Sequence, residues 1–206
     1  QISDYLVEFA RAHDLKYIQD ESNNVIIFKE ASKGYEKAPC VILQGHMDMV
    51  CEKIPESSHD FTKDPLELMV EGDYISAKDT TLGGDDGIAV AILEDESLCH
   101  PALEVLITVD EEIGLLGAAA LDTAPLKGRY LINLDSEEEG YLWVGCAGGL
   151  TAQTNIPVKY QEAAGMKYEI AVSGLLGGHS GSEIDKNRAN ATLLLGRFLF
   201  EAREKG

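Results

Sequence analysis

The chain has 206 residues, a net charge of −19 at pH 7 and a hydrophobic content of 45%. This length and apolar content suffice for one large domain or for one domain and part of a second. The negative charge argues against nucleic acid and anionic membranes as partners, because both are bound through basic patches. The composition predicts a globular protein in which carboxylates cover the surface or gather at a cation site.

The cysteines argue for a reducing compartment. Four of them are scattered without a Cys-x-x-Cys pair, namely Cys40, Cys51, Cys99 and Cys146. This spacing favours free thiols and a cytoplasmic protein over a disulfide framework or a cysteine zinc site. No signal peptide opens the chain, and no apolar run reaches membrane-spanning length. Because Gln1 directly precedes a helical pattern, we expect the chain to be part of a longer protein.

Helices and strands alternate in the first two thirds of the chain. Helical spacing of apolar residues predicts a helix over residues 2–13. The further elements are strands at 25–28, 40–45, 103–109 and 130–134, a hairpin over 66–77, and helices at 88–98 and 114–121. The last two strands are continuously apolar, which is typical of strands buried on both faces. Such alternation predicts an α/β layered domain.

Gly148-Gly149 marks a predicted boundary between two domains, residues 1–148 and 149–206. Strand patterns near 141–145, 150–158 and 166–173 flank or follow this boundary. A glycine-rich turn and a long helix over about 185–204 come next. The second part of the chain is therefore predicted to be the start of an α+β unit.

Residues able to bind metal follow the predicted strands or precede a helix. They are His46 with Asp48, Asp85 with Asp86, Glu111 with Glu112, and Asp135. Ligand sites of open α/β sheets lie beyond the carboxyl ends of the strands, so we expect these side chains at one edge. Simpler explanations exist for each: His46 could be a capping or core histidine beside a solvated Asp48, and Asp85 or Asp86 could cap the next helix. The two glutamates could complement a helix dipole, and Asp135 could belong to a solvated acidic run.

One histidine with several carboxylates suits zinc, manganese or cobalt in a hydrolytic site. An aspartate on a tight glycine loop can bridge two metals, which lie about 3.5–4 Å apart in two-metal hydrolases. Of two adjacent glutamates, one can bind metal while the other acts as general base. The pattern predicts a metal-dependent hydrolase, with a non-catalytic acidic cation-binding module as the alternative. Phosphate binding by residues 80–87 is disfavoured, because that loop has no Lys or Arg partner.

Several runs stand out by their glycine, histidine and acidic residues. They are Gln44-Gly-His-Met-Asp-Met-Val50, His59-Asp-Phe-Thr-Lys-Asp-Pro65, Thr80-Thr-Leu-Gly-Gly-Asp-Asp-Gly87, Thr108-Val-Asp-Glu-Glu112, Leu134-Asp-Ser-Glu-Glu-Glu-Gly140, Gly145-Cys-Ala-Gly-Gly149 and Gly177-Gly-His-Ser-Gly181. In this order they resemble the co-catalytic dizinc aminopeptidase/carboxypeptidase/aminoacylase clan. The second, fifth and sixth runs point within it to the Xaa-His dipeptidases, which cleave aminoacyl-histidine or β-alanyl-histidine.

The resemblance implies a three-layer αβα zinc-peptidase catalytic domain, here incomplete, followed by the start of an α+β lid and dimerisation domain. It implies two Zn²⁺ ions, with Mn²⁺ or Co²⁺ as alternatives, and the metal ligands His46, Asp85, Glu112 and Asp135. By the same resemblance Glu111 is the general base, Asp48 orients His46, and His179 helps to hold the substrate. The loop Gly-Gly-Asp-Asp-Gly departs from the Gly-Ala-Asp-Asn-Gly of relatives, and the residue order favours Asp85 as the bridge.

The implied function is hydrolysis of short peptides, especially Xaa-His dipeptides, by a metal-bridged water. A tripeptidase, a carboxypeptidase and an N-acyl-amino-acid deacylase of the same clan are alternatives. The implied partners are a small peptide and a second copy of the chain, joined through the lid domain. Relatives take a last metal-binding histidine from beyond the lid, so we expect residues 1–206 to bind metal weakly and to be inactive alone.

Overall fold

The computed structural model of the protein describes residues 2–94, 97–136, 138–146, 148, 150, 152–162, 164–178 and 183–205. The chain forms two compact units, Gln1–Glu139 and Gly140–Gly206. This division falls shortly before Gly148-Gly149, and the assignment of domains 1–148 and 149–206 stays a prediction. No helix among the described residues is both long enough and apolar enough to cross a membrane.

A five-stranded mixed sheet forms the centre of the first unit. Its strands are β1 (Lys16–Gln19), β2 (Val25–Lys29), β3 (Val41–His46), β6 (Leu103–Thr108) and β7 (Tyr130–Asn133), and β4 (Leu68–Glu71) and β5 (Tyr74–Ala77) form a separate hairpin. The strand order is β1-β2-β6-β3-β7. Strands β6, β3 and β7 are parallel to one another, whereas β2 runs antiparallel to both of its neighbours, β6 and β1. The carboxyl ends of the three parallel strands therefore share one edge of the sheet.

Both faces of the sheet are covered. On one face α1 (Ile2–Ala12) and α2 (Gly84–Glu94) share a core with the sheet. That core contains Leu6, Val7, Ala10, Val25, Ile27, Ala89, Leu103, Val105 and Ile107. On the other face Ile26, Ile42 and Leu106 pack against Leu121 and Leu126, which follow α3 (Leu116–Ala120). These layers confirm the predicted α/β class.

Strand β7 is less buried than its apolar sequence predicts. Tyr130, Leu131 and Ile132 are 60%, 57% and 50% exposed. The reason is position: among the described strands, β7 is the last one of the sheet, and its one neighbour there is β3. By contrast β6, which lies between two strands, is buried along its whole length as predicted.

The second unit has a short 3₁₀ helix, Ile184–Lys186, and α4 (Ala191–Lys205). The helix predicted from about 185 begins at Ala191, where the Asn190 side chain accepts the Leu193 N–H at 3.0 Å and caps it. Strands predicted near 141–145, 150–158 and 166–173 are wrong for the described residues there, whose backbone is irregular. Apolar alternation gives only a tendency, because a strand also needs a neighbour for its hydrogen bonds.

Candidate metal centre

Strand β3 delivers a buried imidazole to the carboxyl edge of the sheet. His46 is the last residue of β3, lies opposite Thr108 of β6 and is 1% exposed. Its Nδ1 lies 3.0 Å from the backbone oxygen of Asp48 and 3.5 Å from Asp48 Oδ1. A proton on Nδ1 satisfies both acceptors, which leaves Nε2 to face the other acidic side chains.

The start of α2 lies directly against this strand end. A Cβ on Gly45 would clash with Ala89 Cβ and with the Asp86 carboxylate, so a glycine is required for this approach. Asp85 Oδ1 lies 3.0 Å from His46 Nε2. The neighbouring Asp86 is buried and its Oδ2 accepts the backbone N–H of His46 at 3.2 Å. The two aspartates thus contact opposite ends of the same histidine.

Asp48 holds the loop that follows β6. Its Oδ1 accepts the backbone N–H of Glu111 and its Oδ2 accepts that of Glu112, both at 3.1 Å. The sequence predicted an orienting role toward His46. In the structure the backbone oxygen of Asp48 makes the shorter contact with the imidazole, while the carboxylate binds the two glutamate amides.

The predicted site residues of the first unit converge on His46. Ligand atoms of His46, Asp85 and Asp135 lie within 4.8 Å of one another, and so do those of His46, Glu111 and Glu112. The first group is the predicted first metal site. The second group contains both the predicted metal ligand Glu112 and the predicted general base Glu111, next to His46. His179 lies outside the described residues.

Asp135 reaches the cluster from the end of β7. Asn133 Oδ1 accepts the Asp135 backbone N–H at 3.2 Å, and Asn133 Nδ2 donates to Gln44 Oε1 at 2.5 Å. Gln44 and Asn133 are partners in the β3–β7 register. The side-chain contact between these strands therefore helps to place the carboxylate that follows β7.

The electrostatics of the cluster favour a bound cation. Burial lowers the pKa of His46, but the hydrogen bond that its ring donates to Asp85 and the charges of Asp135, Asp85 and Asp48 raise this pKa above its ordinary value. Burial raises the pKa of Glu111, His46 opposes that rise, and Asp135, Glu112 and Asp48 add to it. One imidazole and several crowded carboxylates are a donor set that zinc, manganese or cobalt accepts. The residues present therefore fit a metal centre.

Two residues that support the site were not assigned this role from the sequence. The residue order favoured Asp85 as the metal ligand and gave Asp86 no role beyond a possible helix cap, whereas in the structure Asp86 packs against Gly45 and accepts the His46 backbone N–H. In the sequence Asn23-Asn24 is a turn signal before β2, and the structure shows that the Asn24 side chain also contacts the loop of the two glutamates. The turn signal was visible, whereas a contact between residues 24 and 109 is a tertiary feature.

No family model matches the chain, whereas individual known proteins do. The chain is 42% identical over 205 residues to the cytosol non-specific dipeptidase of Escherichia coli (strain K12), covering 97% of this chain and 42% of that protein. The crystal structure of the aminoacylhistidine dipeptidase from Vibrio alginolyticus matches with a TM-score of 0.69 and 38% identity, over 96% of this chain and 42% of that one.

Aminopeptidase PepT from Bacillus cereus matches with a TM-score of 0.52 and 26% identity, over 67% of this chain and 38% of that structure. The chain thus spans less than half of the length of each of these relatives. Both the sequence match and the fold match extend over nearly all of the chain. Over the length that it covers, the chain is similar in sequence and in fold to the aminoacylhistidine dipeptidase and the cytosol non-specific dipeptidase, in agreement with the resemblance of its motifs.

Proposed function

We propose that the protein containing this chain is a metal-dependent dipeptidase with a two-metal centre. The proposed ligands are His46, Asp85, Glu112 and Asp135, and zinc is the proposed metal, with manganese or cobalt as alternatives. The observation that carries the proposal is the buried imidazole of His46, which lies within 4.8 Å of carboxylates from three separate chain segments. A surface acidic cluster would have no need of a buried histidine at its centre.

Zinc bound there would lower the pKa of a water molecule and polarise the peptide carbonyl. Glu111 is the proposed general base, which takes a proton from the attacking water and returns it to the leaving amine. Burial supports this role, because it raises the pKa of the Glu111 carboxyl toward the working pH. Asp48 supports both the base and the histidine ligand. Its carboxylate accepts the backbone N–H of Glu111, and its backbone oxygen contacts Nδ1 of His46, which keeps Nε2 directed at the site.

Dipeptides are the proposed substrates, with Xaa-His dipeptides among the best of them. Support comes from two relatives, one named a non-specific dipeptidase and the other an aminoacylhistidine dipeptidase. A substrate panel on the full-length protein tests this. We expect cleavage of Xaa-His and other dipeptides, loss of cleavage on chelation, and recovery with Zn²⁺. Preferential cleavage of tripeptides, of C-terminally extended peptides or of N-acyl amino acids would move the protein to another branch of the clan. A total lack of hydrolysis would favour a cation-binding module.

We further propose a catalytic domain over residues 1–148 and the start of a lid and dimerisation domain over 149–206, in a cytoplasmic homodimer. The apolar residues that α4 exposes support an interface, among them Leu193, Phe198 and Leu199 at 60%, 54% and 49%. The four free cysteines support a reducing compartment. In this assembly His179 holds the substrate, so His179→Ala should raise KM or lower kcat. Light scattering on the full-length protein tests the dimer, and a monomer at micromolar concentration would refute it.

A further inference from the structure

We propose that Asn24 is a positioning residue for catalysis, because it fixes both ends of the loop that carries Glu111 and Glu112. This inference rests on the proposed function of those two glutamates. Asn24 lies between the turn at residues 20–23 and the start of β2, more than eighty positions before the loop in sequence. The residue is buried, with 1% of its surface exposed.

The side chain of Asn24 bridges the two ends of the loop. Its Oδ1 accepts the backbone N–H of Val109 at 3.0 Å, directly after β6. Its Nδ2 donates to the backbone oxygen of Gly117 at 2.9 Å, in the first turn of α3. The two ends also contact each other, since the Gly117 N–H donates to the Val109 oxygen at 3.2 Å. Asn24 is therefore the side chain that closes the segment from 109 to 117.

Asp20 fixes the orientation of this amide. Its Oδ2 accepts the second Nδ2 hydrogen of Asn24 at 2.7 Å, and its Oδ1 accepts the Asn24 backbone N–H at 2.8 Å. Both amide hydrogens and the amide oxygen of Asn24 thus have protein partners. A flipped amide would place its N–H₂ against the Val109 N–H and its oxygen against the Gly117 oxygen.

Close packing shows how little room the contact leaves. A Cβ on Gly117 would clash with the Val109 oxygen and lie 2.7 Å from Asn24 Oδ1. A side chain at position 117 would therefore displace the amide. The loop also contains two non-glycine residues with left-handed backbone, Asp110 (φ 56°) and Leu115 (φ 61°). Such conformations are sparsely populated and need support from surrounding contacts.

The loop is thus held at two places by side chains from other strands. Asp48, which follows β3, binds the amides of Glu111 and Glu112 in its middle. Asn24, which precedes β2, binds its two ends. Loss of the second attachment leaves the glutamate amides bound to Asp48 and the two loop ends bonded to each other, but it removes the side chain that fixes those ends to the start of β2. Small displacements of a general base are costly, because proton transfer requires a short and aligned contact.

Three variants of the full-length protein separate positioning from simple stability. In Asn24→Asp, Oδ1 can still accept from Val109, but a second oxygen replaces the donor to Gly117 and Asp20. In the double variant Asn24→Asp with Asp20→Asn, a donor at position 20 restores the link within the turn but not the link to Gly117. The control is Glu104→Ala, which removes another buried side chain that accepts backbone N–H groups, from Lys127 and Gly128 before β7.

Steady-state kinetics, thermal unfolding and amide hydrogen exchange are measured on all of them. We expect kcat of Asn24→Asp to fall about 10- to 100-fold, with KM changed by less than about twofold. Exchange over residues 110–116 should rise in this variant. The double variant should have a higher melting temperature than Asn24→Asp, because the link within the turn is restored. Its kcat and its protection from exchange over residues 110–116 should stay as low as those of Asn24→Asp. Glu104→Ala should lose melting temperature and keep kcat within about twofold of the parent.

Unchanged exchange over 110–116 in Asn24→Asp would overturn the inference, and so would a parental kcat in either Asn24 variant. A kcat that returns in the double variant together with the melting temperature would make Asn24 a turn residue only. If the parent shows no metal-dependent peptidase activity, the proposed function fails, while the exchange measurement still decides whether Asn24 fixes the loop.

Discussion

Asp48→Asn in the full-length protein should weaken the site without unfolding it. The Asp48 carboxylate accepts two backbone N–H groups, from Glu111 and Glu112, each at 3.1 Å. An asparagine has one oxygen, so its amide can satisfy one of these groups and must turn an N–H₂ toward the other. The same change removes the negative charge 3.5 Å from His46 Nδ1.

The size of the effect follows from the bond that is lost. A hydrogen bond to a charged group contributes about 1.5–3 kcal/mol. If that energy holds the glutamates in their productive position, its loss lowers kcat/KM about 10- to 100-fold, since about 1.4 kcal/mol corresponds to a factor of ten. This range agrees with the usual cost of changing a residue that supports metal ligands, about 10- to 100-fold.

The assay is steady-state kinetics on a dipeptide, with zinc content measured on the same preparations. Asp122→Asn is the matched control, because Asp122 is exposed and accepts a local N–H from Ala124 at 2.9 Å, a bond that asparagine can keep. We expect parental kinetics from the control. A parental kcat/KM for Asp48→Asn at equal zinc content would refute the assigned role of the carboxylate.

Two further substitutions test the packing around His46. Gly45→Ala should destabilise the protein by about 1–3 kcal/mol, because the new methyl group overlaps Asp86 and Ala89. Gly87→Ala is the control and should not destabilise it, because outside its own helix backbone and chain neighbours the added Cβ meets no atom within 4 Å. Equal melting temperatures for the two variants would contradict the close packing at Gly45. Asp86→Asn should raise the stability of the metal-free protein at pH 7, since it keeps an oxygen for the His46 N–H and removes a buried charge. Burial raises the folded pKa of Asp86 above its ordinary 3.8, so the parent should gain stability as the pH falls through the folded value toward 3.8, and the variant should lose this component. Urea unfolding over a pH series measures the free energy of unfolding of the parent and of Asp86→Asn. If the variant is less stable than the parent at pH 7, the negative charge of Asp86 is stabilised by a partner and the prediction fails.

The elements closest to the site could be predicted because their signals are local. Helix α1 shows helical spacing, and strands β2, β3 and β6 are short apolar runs bounded by turn residues. The convergence of His46, Asp135 and the two glutamates followed from one rule, that parallel strands end at a common edge. Asp85 was predicted there from its place in the loop before a helix. The structure places these residues around one imidazole.

Features that depend on neighbours could not be predicted in this way. Strand β7 has the sequence of a buried strand, but its position at the edge of the sheet leaves it exposed. The strand patterns beyond residue 140 form no ladder among the described residues there, because pairing partners are a property of the whole fold. The roles of Asp86 and Asn24 also depend on contacts between segments distant in sequence, at 40 and 85 positions respectively.

The central claim is that Glu111 carries the proton at a metal site built on His46. The most direct test compares the full-length protein with its Glu111→Gln variant, measuring bound zinc and dipeptide turnover together. The variant should bind as much zinc as the parent, because Glu111 is not among the proposed ligands, while turnover falls about 10²- to 10⁴-fold, the usual contribution of a general base. Parental turnover by Glu111→Gln at full zinc occupancy would contradict the account.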